Sequence, residues 1–142
     1  MTDDCIRFEK VRYDSLNARQ QETHNFQKLA GILATYGFSC IKLADDWQGA
    51  DFLASHIDGK TTLKVQLKSR LTIDRKYDGK DIWIAFPHKD CWYLIRHDRL
   101  LHKVTECTDW LHSRSWENPG KYSSTSINPN LLKSLAENKL EP

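Results

Sequence analysis

The chain has 142 residues, 39% hydrophobic and 28% charged, which is typical of a globular domain with a core and excludes a disordered segment. A formal net charge of +2 gives no general attraction to nucleic acid, and no run of about 20 apolar residues could span a bilayer. The N-terminus has no apolar run of the signal-peptide kind, and the four cysteines are widely spaced. These features predict one cytoplasmic domain over residues 1–142, with reduced thiols and no membrane partner.

A helix is predicted after Asn17, because Asn17 and Gln20 fit a capping box, with Ser15 as an alternative cap. Its apolar residues recur at helical spacing and are Phe26, Leu29, Ala30 and Leu33. Glu22 lies four residues before Phe26 and is expected to continue this inward stripe. A buried carboxylate needs a metal ion or a basic partner to offset its cost. The alternative is that the first turn projects past the core and Glu22 is solvated near the helix dipole.

A short strand is predicted over residues 39–44, a turn over residues 45–49 and a β-hairpin over residues 49–70. Asp58-Gly59 favours a two-residue type I′ turn, in which paired positions sum to 117. The alternating apolar residues of this hairpin predict its core face, which carries Phe52, Ala54, Leu63, Val65 and Leu67.

The other face of the hairpin is polar. In the register that sums to 117, Asp51 faces Gln66, and Lys68 projects from the same face two residues further on. The hairpin would thus gather a carboxylate, an amide and an ammonium, unless a bulge shifts the pairing. The alternative interpretation is an ordinary amphipathic hairpin with a wet polar face.

Positive charge is concentrated around the second hairpin strand. From residue 60 to residue 80 there are seven basic residues and two acidic ones. A local positive field beside a polar face favours a polyanionic partner, although a solvated loop rich in Lys and Arg explains it as well.

The rest of the chain predicts further α/β structure. Strands are expected over residues 80–86 and 91–95, which could pair as a hairpin, and a helix is expected over residues 98–104. A long loop is predicted over residues 113–130, followed by a C-terminal helix over residues 130–140 with Asn128 as its cap. One set of potential metal ligands has a spacing of five, which does not place them on one helix face and so does not favour a zinc site: His97, His102, Cys107 and His112.

An acid on an N-terminal helix, then a strand, then Asp51, then Gln66-Leu67-Lys68 on the next strand resembles the PD-(D/E)XK nuclease superfamily. The resemblance covers about residues 16–86. It matches Glu22 to the helix acid of several branches, including Holliday-junction resolvases, and Asp51, Gln66 and Lys68 to the motif Asp, the variable acid and the motif Lys. Two departures are Ala50 before Asp51, where a Pro is common, and Gln66 in place of an acid. Gln is found there in some members, among them a homing-endonuclease branch.

The resemblance implies an α/β fold with a restriction-endonuclease-like core. That core is a central mixed β-sheet of about four to five strands flanked by helices, with an αβββ start and a C-terminal helix. It also implies a metal-dependent DNA endonuclease that hydrolyses phosphodiester bonds and forms a homodimer or higher homo-oligomer. The alternatives are a catalytically inactive DNA-binding or interaction module of the same fold, and an unrelated α/β domain.

The implied cofactor is Mg²⁺ or Mn²⁺. Its ligands would be Asp51, Glu22, Gln66 and the Leu67 backbone carbonyl, all of them oxygen donors that suit a hard cation. Lys68 would hold the attacking water and stabilise charge on phosphorus. Other residues would contact DNA without reading its sequence: Gln48, Lys64, Ser69, Arg70, Arg75 and Lys76.

Overall fold

The computed structural model describes residues 5–142, which form four helices, eight strands and several 3-10 turns. The helices are α1 (Ala18–Thr35), α2 (His97–Cys107), α3 (Arg114–Glu117) and α4 (Pro129–Ser134). The strands are β1 (Phe38–Trp47), β2 (Ala50–His56), β3 (Thr62–Leu67), β4 (Leu71–Asp74), β5 (Ile82–His88), β6 (Cys91–Arg96), β7 (Lys121–Ser124) and β8 (Lys139–Leu140). None of the helices in residues 5–142 has the length and apolar character needed to cross a membrane.

Six strands form one mixed sheet in the order β1-β2-β3-β5-β6-β8. Its described neighbours run antiparallel, except that β3 and β5 are parallel. A second, two-stranded sheet pairs β4 with β7. The chain is therefore an α/β protein with a mixed sheet, and a helix precedes the first three strands, as expected. The sheet has six strands where four to five were expected, because β8 extends it beyond β6.

Helix α1 covers one face of the sheet. The predicted capping box is present: the Asn17 side chain accepts from the Gln20 N–H, and the Gln20 side chain accepts from the Asn17 N–H. Leu29 and Leu33 are fully buried in a core that includes Phe52. The remaining buried members of this core are Ala54, Val65, Ala85, Trp92 and Leu94. The predicted core face of the hairpin is thus confirmed, with Leu63 and Leu67 partly buried against it.

The opposite face of β5 and β6 carries a second core. Ile82, Ile84 and Ile95 pack there against α2, α4 and the β4–β7 sheet. The predicted pairing of β5 with β6 is confirmed, with Ile84 opposite Ile95. Lys64 and Gln66 of β3 pair with Ile82 and Ile84, so their side chains start on this same face.

The hairpin of β2 and β3 has the predicted register but a different turn. Ala54 pairs with Leu63 and Ser55 with Thr62, so paired positions sum to 117. The loop is four residues long, because the ladder closes with the His56 N–H donating to the Thr61 carbonyl. The Asp58 carboxylate stabilises this wider loop by accepting from the backbone N–H groups of Lys60 and Thr61.

The predicted turn over residues 45–49 is shorter in the structure. β1 continues to Trp47, which pairs with Ala50, and the chain reverses at Gln48 and Gly49. Both turn residues have positive φ angles, of 51° and 85°. The register of the β1–β2 pair shifts between Lys42 and Trp47, an irregularity that the sequence pattern did not indicate.

Two further predictions are corrected at the C-terminal end. The predicted loop over residues 113–130 contains α3 and β7, because Ser113 caps the helix that buries Trp116, and β7 pairs with β4. The predicted helix over residues 130–140 ends at Ser134, and a 3-10 turn then leads into β8. Leu140 therefore pairs with Trp92 in the main sheet instead of continuing a helix.

Candidate active site

The candidate site lies where β2 begins and β3 ends. The backbone pairing of β2 with β3 ends at Phe52 and Val65. The next N–H of β3 that points towards β2, that of Leu67, donates to the Asp51 carboxylate at 2.8 Å and not to a backbone carbonyl. The N–H and C=O of one strand residue point to the same side, so the Leu67 carbonyl also points towards β2. The Asp51 carboxylate and the Leu67 carbonyl oxygen are therefore both at this end of the β2–β3 ladder.

The Asp51 carboxylate is partly buried, and burial raises its pKa. The Leu67 N–H and the Lys68 ammonium oppose this rise, whereas Glu22 and Asp46 add to it. These charges act on Asp51 because all of them lie near it. Because the Asp51 carboxylate is partly buried and has acidic neighbours, a bound cation would stabilise its charged form.

Gln66 provides a second oxygen for the site. The residue is 8% exposed, and its Oε1 is buried without a hydrogen-bond partner among residues 5–142. The hairpin register ends at the Phe52–Val65 pair, and continuing it by one residue puts position 66 opposite Asp51. A buried acceptor without a partner is costly, and a divalent cation is one partner that would satisfy it. The donor set of Asp51, Gln66 and the Leu67 carbonyl therefore fits Mg²⁺ or Mn²⁺.

Lys68 is half-buried beside these oxygens. Its backbone N–H donates to the Ala85 carbonyl at 2.8 Å, which fixes the start of the side chain against β5. Its Nζ lies 5.5 Å from the centroid of the Tyr77 ring. Burial lowers the pKa of Lys68, as do the nearby ammonium groups of Lys121 and Lys76. A positioned ammonium with a depressed pKa can donate to an attacking water or to a developing oxyanion.

Glu22 does not occupy the predicted buried position. Its side chain is 55% exposed, and its carboxylate lies 3.9 Å from the Lys42 ammonium on β1. The first turns of α1 therefore face solvent at this point, as in the alternative interpretation. Glu22 is still near enough to raise the pKa of Asp51.

A metal site made only of side chains is not found in residues 5–142. No three His, Cys, Asp or Glu side chains lie together in a way that could hold a metal ion. In particular, His97 is buried and accepts from the Asp74 N–H, whereas His102 is exposed and lies 3.0 Å from Glu106. A cation at Asp51 would therefore need the amide and backbone oxygens, together with water or substrate phosphate.

A cleft of about 490 Å³ opens beside the site. The predicted DNA-binding residues Gln48, Lys64 and Lys76 line it. The other residues around it are Asp46, Gly49, Tyr77, Lys80 and Ile82. Cleft and site are adjacent, since Asp46 acts on Asp51 and Lys76 acts on Lys68.

The other predicted DNA contacts lie elsewhere. The Arg75 guanidinium donates to the Trp116 carbonyl at 2.8 Å and lies 5.1 Å from the centroid of the Trp116 ring, so it holds α3 in place. Ser69 and Arg70 are exposed and line a separate depression with His88 and Lys89. The sequence therefore grouped residues that the fold separates.

Sequence reasoning missed Tyr77; it considered Asp46 as a metal ligand but explained it as a turn residue, and it counted Lys80 only as part of the positive charge over residues 60–80. Tyr77 ends the 3-10 turn Arg75–Tyr77, and its ring is buried between β5 and the candidate site. An aromatic residue among charged ones was a usable signal, but the short 3-10 turn has no periodic pattern that places its side chains.

Comparison of the chain with protein-family models, with curated proteins and with solved structures finds no match. A functional assignment therefore depends on the geometry and chemistry of the site.

Proposed function

We propose that this protein is a metal-dependent DNA endonuclease with a PD-(D/E)XK-type site on a restriction-endonuclease-like core. One observation carries the proposal: the Asp51 carboxylate accepts from Leu67, the β3 residue between Gln66 and Lys68. The Gln66 amide oxygen is buried without a partner among residues 5–142, and the Lys68 ammonium is near enough to act on Asp51. Their order along the chain, after a helix that carries Glu22, is the order of the motif.

The protein ligands of Mg²⁺ or Mn²⁺ would be Asp51, the Gln66 Oε1 and the Leu67 carbonyl, with Glu22 acting through water. When bound, the cation supplies Lewis acidity, which makes an attacking water more acidic and favours charge on the phosphoryl oxygens. The protein's own residues hold the site in shape. Asp51 holds the end of β3 by accepting from the Leu67 N–H, and Gln66 provides a buried amide oxygen.

Lys68 would orient the attacking water and stabilise the charge that develops on the phosphoryl group. Its depressed pKa brings its proton transfer closer to neutral pH than that of an ordinary lysine. Lys64, Lys76 and Gln48 would hold neighbouring phosphates through charge and hydrogen bonds, without reading bases.

A homodimer is part of the proposal, because two active sites are needed to cut both strands at once. β1 is a ten-residue edge strand with exposed Ile41 and Trp47. An exposed edge of this length is a template for pairing with a second copy. Lys42 and Asp46 lie on the same strand, so two antiparallel copies could bring opposite charges together. Light scattering coupled to size exclusion measures the mass: a dimer is expected, and a monomer at all concentrations contradicts it.

A second candidate function is an inactive DNA-binding module of the same fold. Gln66 brings no charge to the site, and the Glu22 carboxylate already pairs with Lys42. Both features reduce the negative charge available to a cation.

Cleavage assays separate the two. Supercoiled plasmid, branched DNA and single strands are incubated with Mg²⁺ or Mn²⁺, using wild type, Asp51→Ala, Lys68→Ala and the control Lys60→Ala in the distant hairpin turn. Cleavage by wild type and by the control, lost in both site variants, supports the nuclease. DNA binding without cleavage of any substrate supports the module, and the absence of both rejects the two proposals together.

A further inference from the structure

A second basic surface lies beside the candidate site. It is a depression of about 310 Å³ with two charged side chains, Arg70 and Lys89, both of them exposed. Burial lowers the pKa of His88 in the same depression, and so does the neighbouring Lys89, so the imidazole is neutral at pH 7 and can donate one hydrogen bond. The other polar residues that line the depression are Ser69, Ser124 and Thr125.

No acidic residue among residues 5–142 lines the depression, so its two positive charges are not offset within it. Asp90 follows Lys89 in the chain but lines another depression, which lies beside α1. The cleft differs in this respect, because Asp46 lines it and the Asp74 carboxylate lies 3.9 Å from the Lys76 ammonium. The depression is therefore the less neutralised of the two basic surfaces, and a polyanion is the partner that suits it.

The depression and the cleft lie at opposite ends of β4. Arg70 directly precedes β4, and Ser124 is the residue of β7 that pairs with the first residue of β4. Lys76 of the cleft lies in the 3-10 turn that follows the other end of β4. Because β4 is four residues long, roughly 10 Å separates its two ends at the rise of a β-strand.

Lys68 lies between the two basic surfaces. Ser69 and Arg70 of the depression directly follow it in the chain. Lys76 of the cleft lies near it on the other side, because the Nζ atoms of Lys68 and Lys76 are 5.5 Å and 5.2 Å from the centroid of the same Tyr77 ring. The candidate site therefore has a basic surface on each side.

We propose that the depression around Arg70 and Lys89 is a second DNA-binding surface, which holds backbone phosphates on the far side of Lys68 from the cleft; this inference rests on the proposed function. A strand that reaches from one surface to the other passes Lys68 with phosphates bound on both sides. At about 3.4 Å of duplex per nucleotide, about three nucleotides span the distance between the ends of β4. The preferred substrate is therefore a continuous strand in the interior of DNA, as an endonuclease requires.

The groups that line the depression suit a DNA backbone. A guanidinium binds a phosphate through two parallel hydrogen bonds, an ammonium acts as a point charge, and hydroxyl groups add neutral donors. Contacts of this kind position a strand without reading its bases.

The test measures DNA binding in EDTA, so that it does not depend on cleavage. A fluorescent duplex and a fluorescent single strand of the same sequence are titrated with the protein, and their anisotropy is followed at several salt concentrations. Arg70→Gln and Lys89→Asn each remove one exposed charge, and Asn tolerates the positive φ of 48° at position 89. Urea unfolding checks that the variants keep their fold.

Each variant should weaken DNA binding about three- to tenfold at low salt and reduce the slope of log affinity against log salt by about 1, and the double variant should reduce the slope by about 2. Lys60→Gln, which removes an exposed charge in the β2–β3 loop, should leave both quantities unchanged. Thr125→Glu tests the depression independently, because it adds a carboxylate to an exposed position without removing a charge, and it should also weaken binding.

Unchanged affinity and salt slope in the double variant would overturn the inference. So would a wild type that binds neither form of DNA, or a loss of the same size in Lys60→Gln. Weaker binding by the double variant, without cleavage of any DNA by wild type in Mg²⁺ or Mn²⁺, keeps the second surface and rejects the nuclease. Cleavage by wild type, with normal DNA binding in the double variant, rejects the second surface alone.

Discussion

Asp51 and Leu67 are joined by a hydrogen bond of 2.8 Å, in which the Leu67 N–H donates to the Asp51 carboxylate. This bond takes the place of a backbone pair at the end of the β2–β3 ladder. One carboxylate thus closes this end of the β2–β3 ladder, and its second oxygen is the one proposed to bind a cation. The same residue therefore has a structural and a proposed chemical role, and substitutions can separate the two.

Asp51→Asn should abolish cleavage and stabilise the fold at neutral pH. The amide oxygen can still accept from Leu67, whereas the charge that burial disfavours is removed. Burial raises the pKa of Asp51 above its ordinary value of about 3.9, so the wild-type penalty is absent below that value and grows as the pH rises through the folded-state pKa. Urea unfolding from pH 3 to pH 8 should show a variant advantage only at the higher pH values, and an advantage that is constant with pH contradicts the argument.

Asp58→Asn is the matched control, and we expect it to change the free energy of unfolding in the opposite direction. Hydrogen bonds from the Lys60 and Thr61 backbone lower the pKa of Asp58 to about 2. Its stabilising effect is therefore present above the ordinary value and lost as the pH falls towards 2. The variant should be less stable than wild type at neutral pH and equal to it in strong acid.

Gln66→Glu should strengthen metal binding and weaken the metal-free protein. A carboxylate adds one charge to the ligand set, and we expect an increase of about tenfold in Mn²⁺ affinity. Without metal, the new charge would be buried beside Asp51, so unfolding should require less urea. Calorimetric titration with Mn²⁺ measures the first effect, with Gln48→Glu on the exposed turn as control. Unchanged Mn²⁺ affinity would show that Gln66 is not a ligand.

Lys68→Ala should reduce the cleavage rate by about 10² to 10³ while changing DNA affinity by less than about threefold, because its charge acts on the transition state. Lys64→Ala should do the reverse, weakening DNA binding and leaving the rate at saturating DNA nearly unchanged. Because burial lowers the pKa of Lys68, cleavage should decline at an alkaline pH below the ordinary lysine value of about 10.4. Single-turnover rates and anisotropy titrations measure both quantities. A rate loss matched by an equal affinity loss would contradict the assigned role.

Tyr77→Phe should stabilise the protein by about 1 kcal/mol, because it keeps the packed ring and removes a buried hydroxyl that has no partner in the described part of the chain, residues 5–142. The control is Tyr13→Phe, whose hydroxyl accepts from the Asn25 side chain at 2.9 Å and should lose a little stability instead. Urea unfolding of both variants is the measurement. A lower free energy of unfolding in Tyr77→Phe than in wild type would show that the hydroxyl has a stabilising partner in solution.

Arg75→Lys should lower stability by about 1 to 2 kcal/mol without weakening DNA binding, because a lysine cannot both donate to the Trp116 carbonyl and stack on the Trp116 ring. Lys76→Met is the contrast: it should weaken DNA binding at low salt and leave stability within about 0.5 kcal/mol. Unfolding and salt-dependent anisotropy separate the two. Weaker DNA binding in a fully stable Arg75→Lys would restore the role that the sequence assigned to it.

Sequence reasoning predicted the parts of the site that lie on elements with a regular pattern of residues, the β2–β3 hairpin and helix α1. The Asp58-Gly59 pair predicted the register of the hairpin, which holds although the loop is longer, and the alternation predicted its core face, because a strand has a period of two. The capping box at Asn17 and Gln20 likewise predicted the start of α1. For Glu22 the sequence left a buried and a solvated position open, because helical spacing says nothing about where the core ends, and the structure has the solvated one.

The segment between β3 and β5 could not be predicted from local pattern. β4 is four residues long and buried at every position, and its partner β7 lies in a stretch rich in Ser, Asn and Gly that suggests a loop. Long-range pairing therefore decided its structure. Arg75 appeared to be a DNA contact for the same reason, since its Trp116 partner is remote in sequence.

The pairing of β4 with β7 has a consequence for how the protein is made. Position 71 pairs with position 124, and the Arg75 N–H donates to the Gly120 carbonyl at 2.7 Å. Contacts between such distant positions form late, since closing a large loop is entropically costly, and a ribosome delivers the N-terminal part first. We expect the β2–β3 hairpin to form early and the surroundings of Lys68 only once residues near 120 have emerged. Under the proposed function, the nascent chain would therefore not cleave DNA before residues near 120 have emerged.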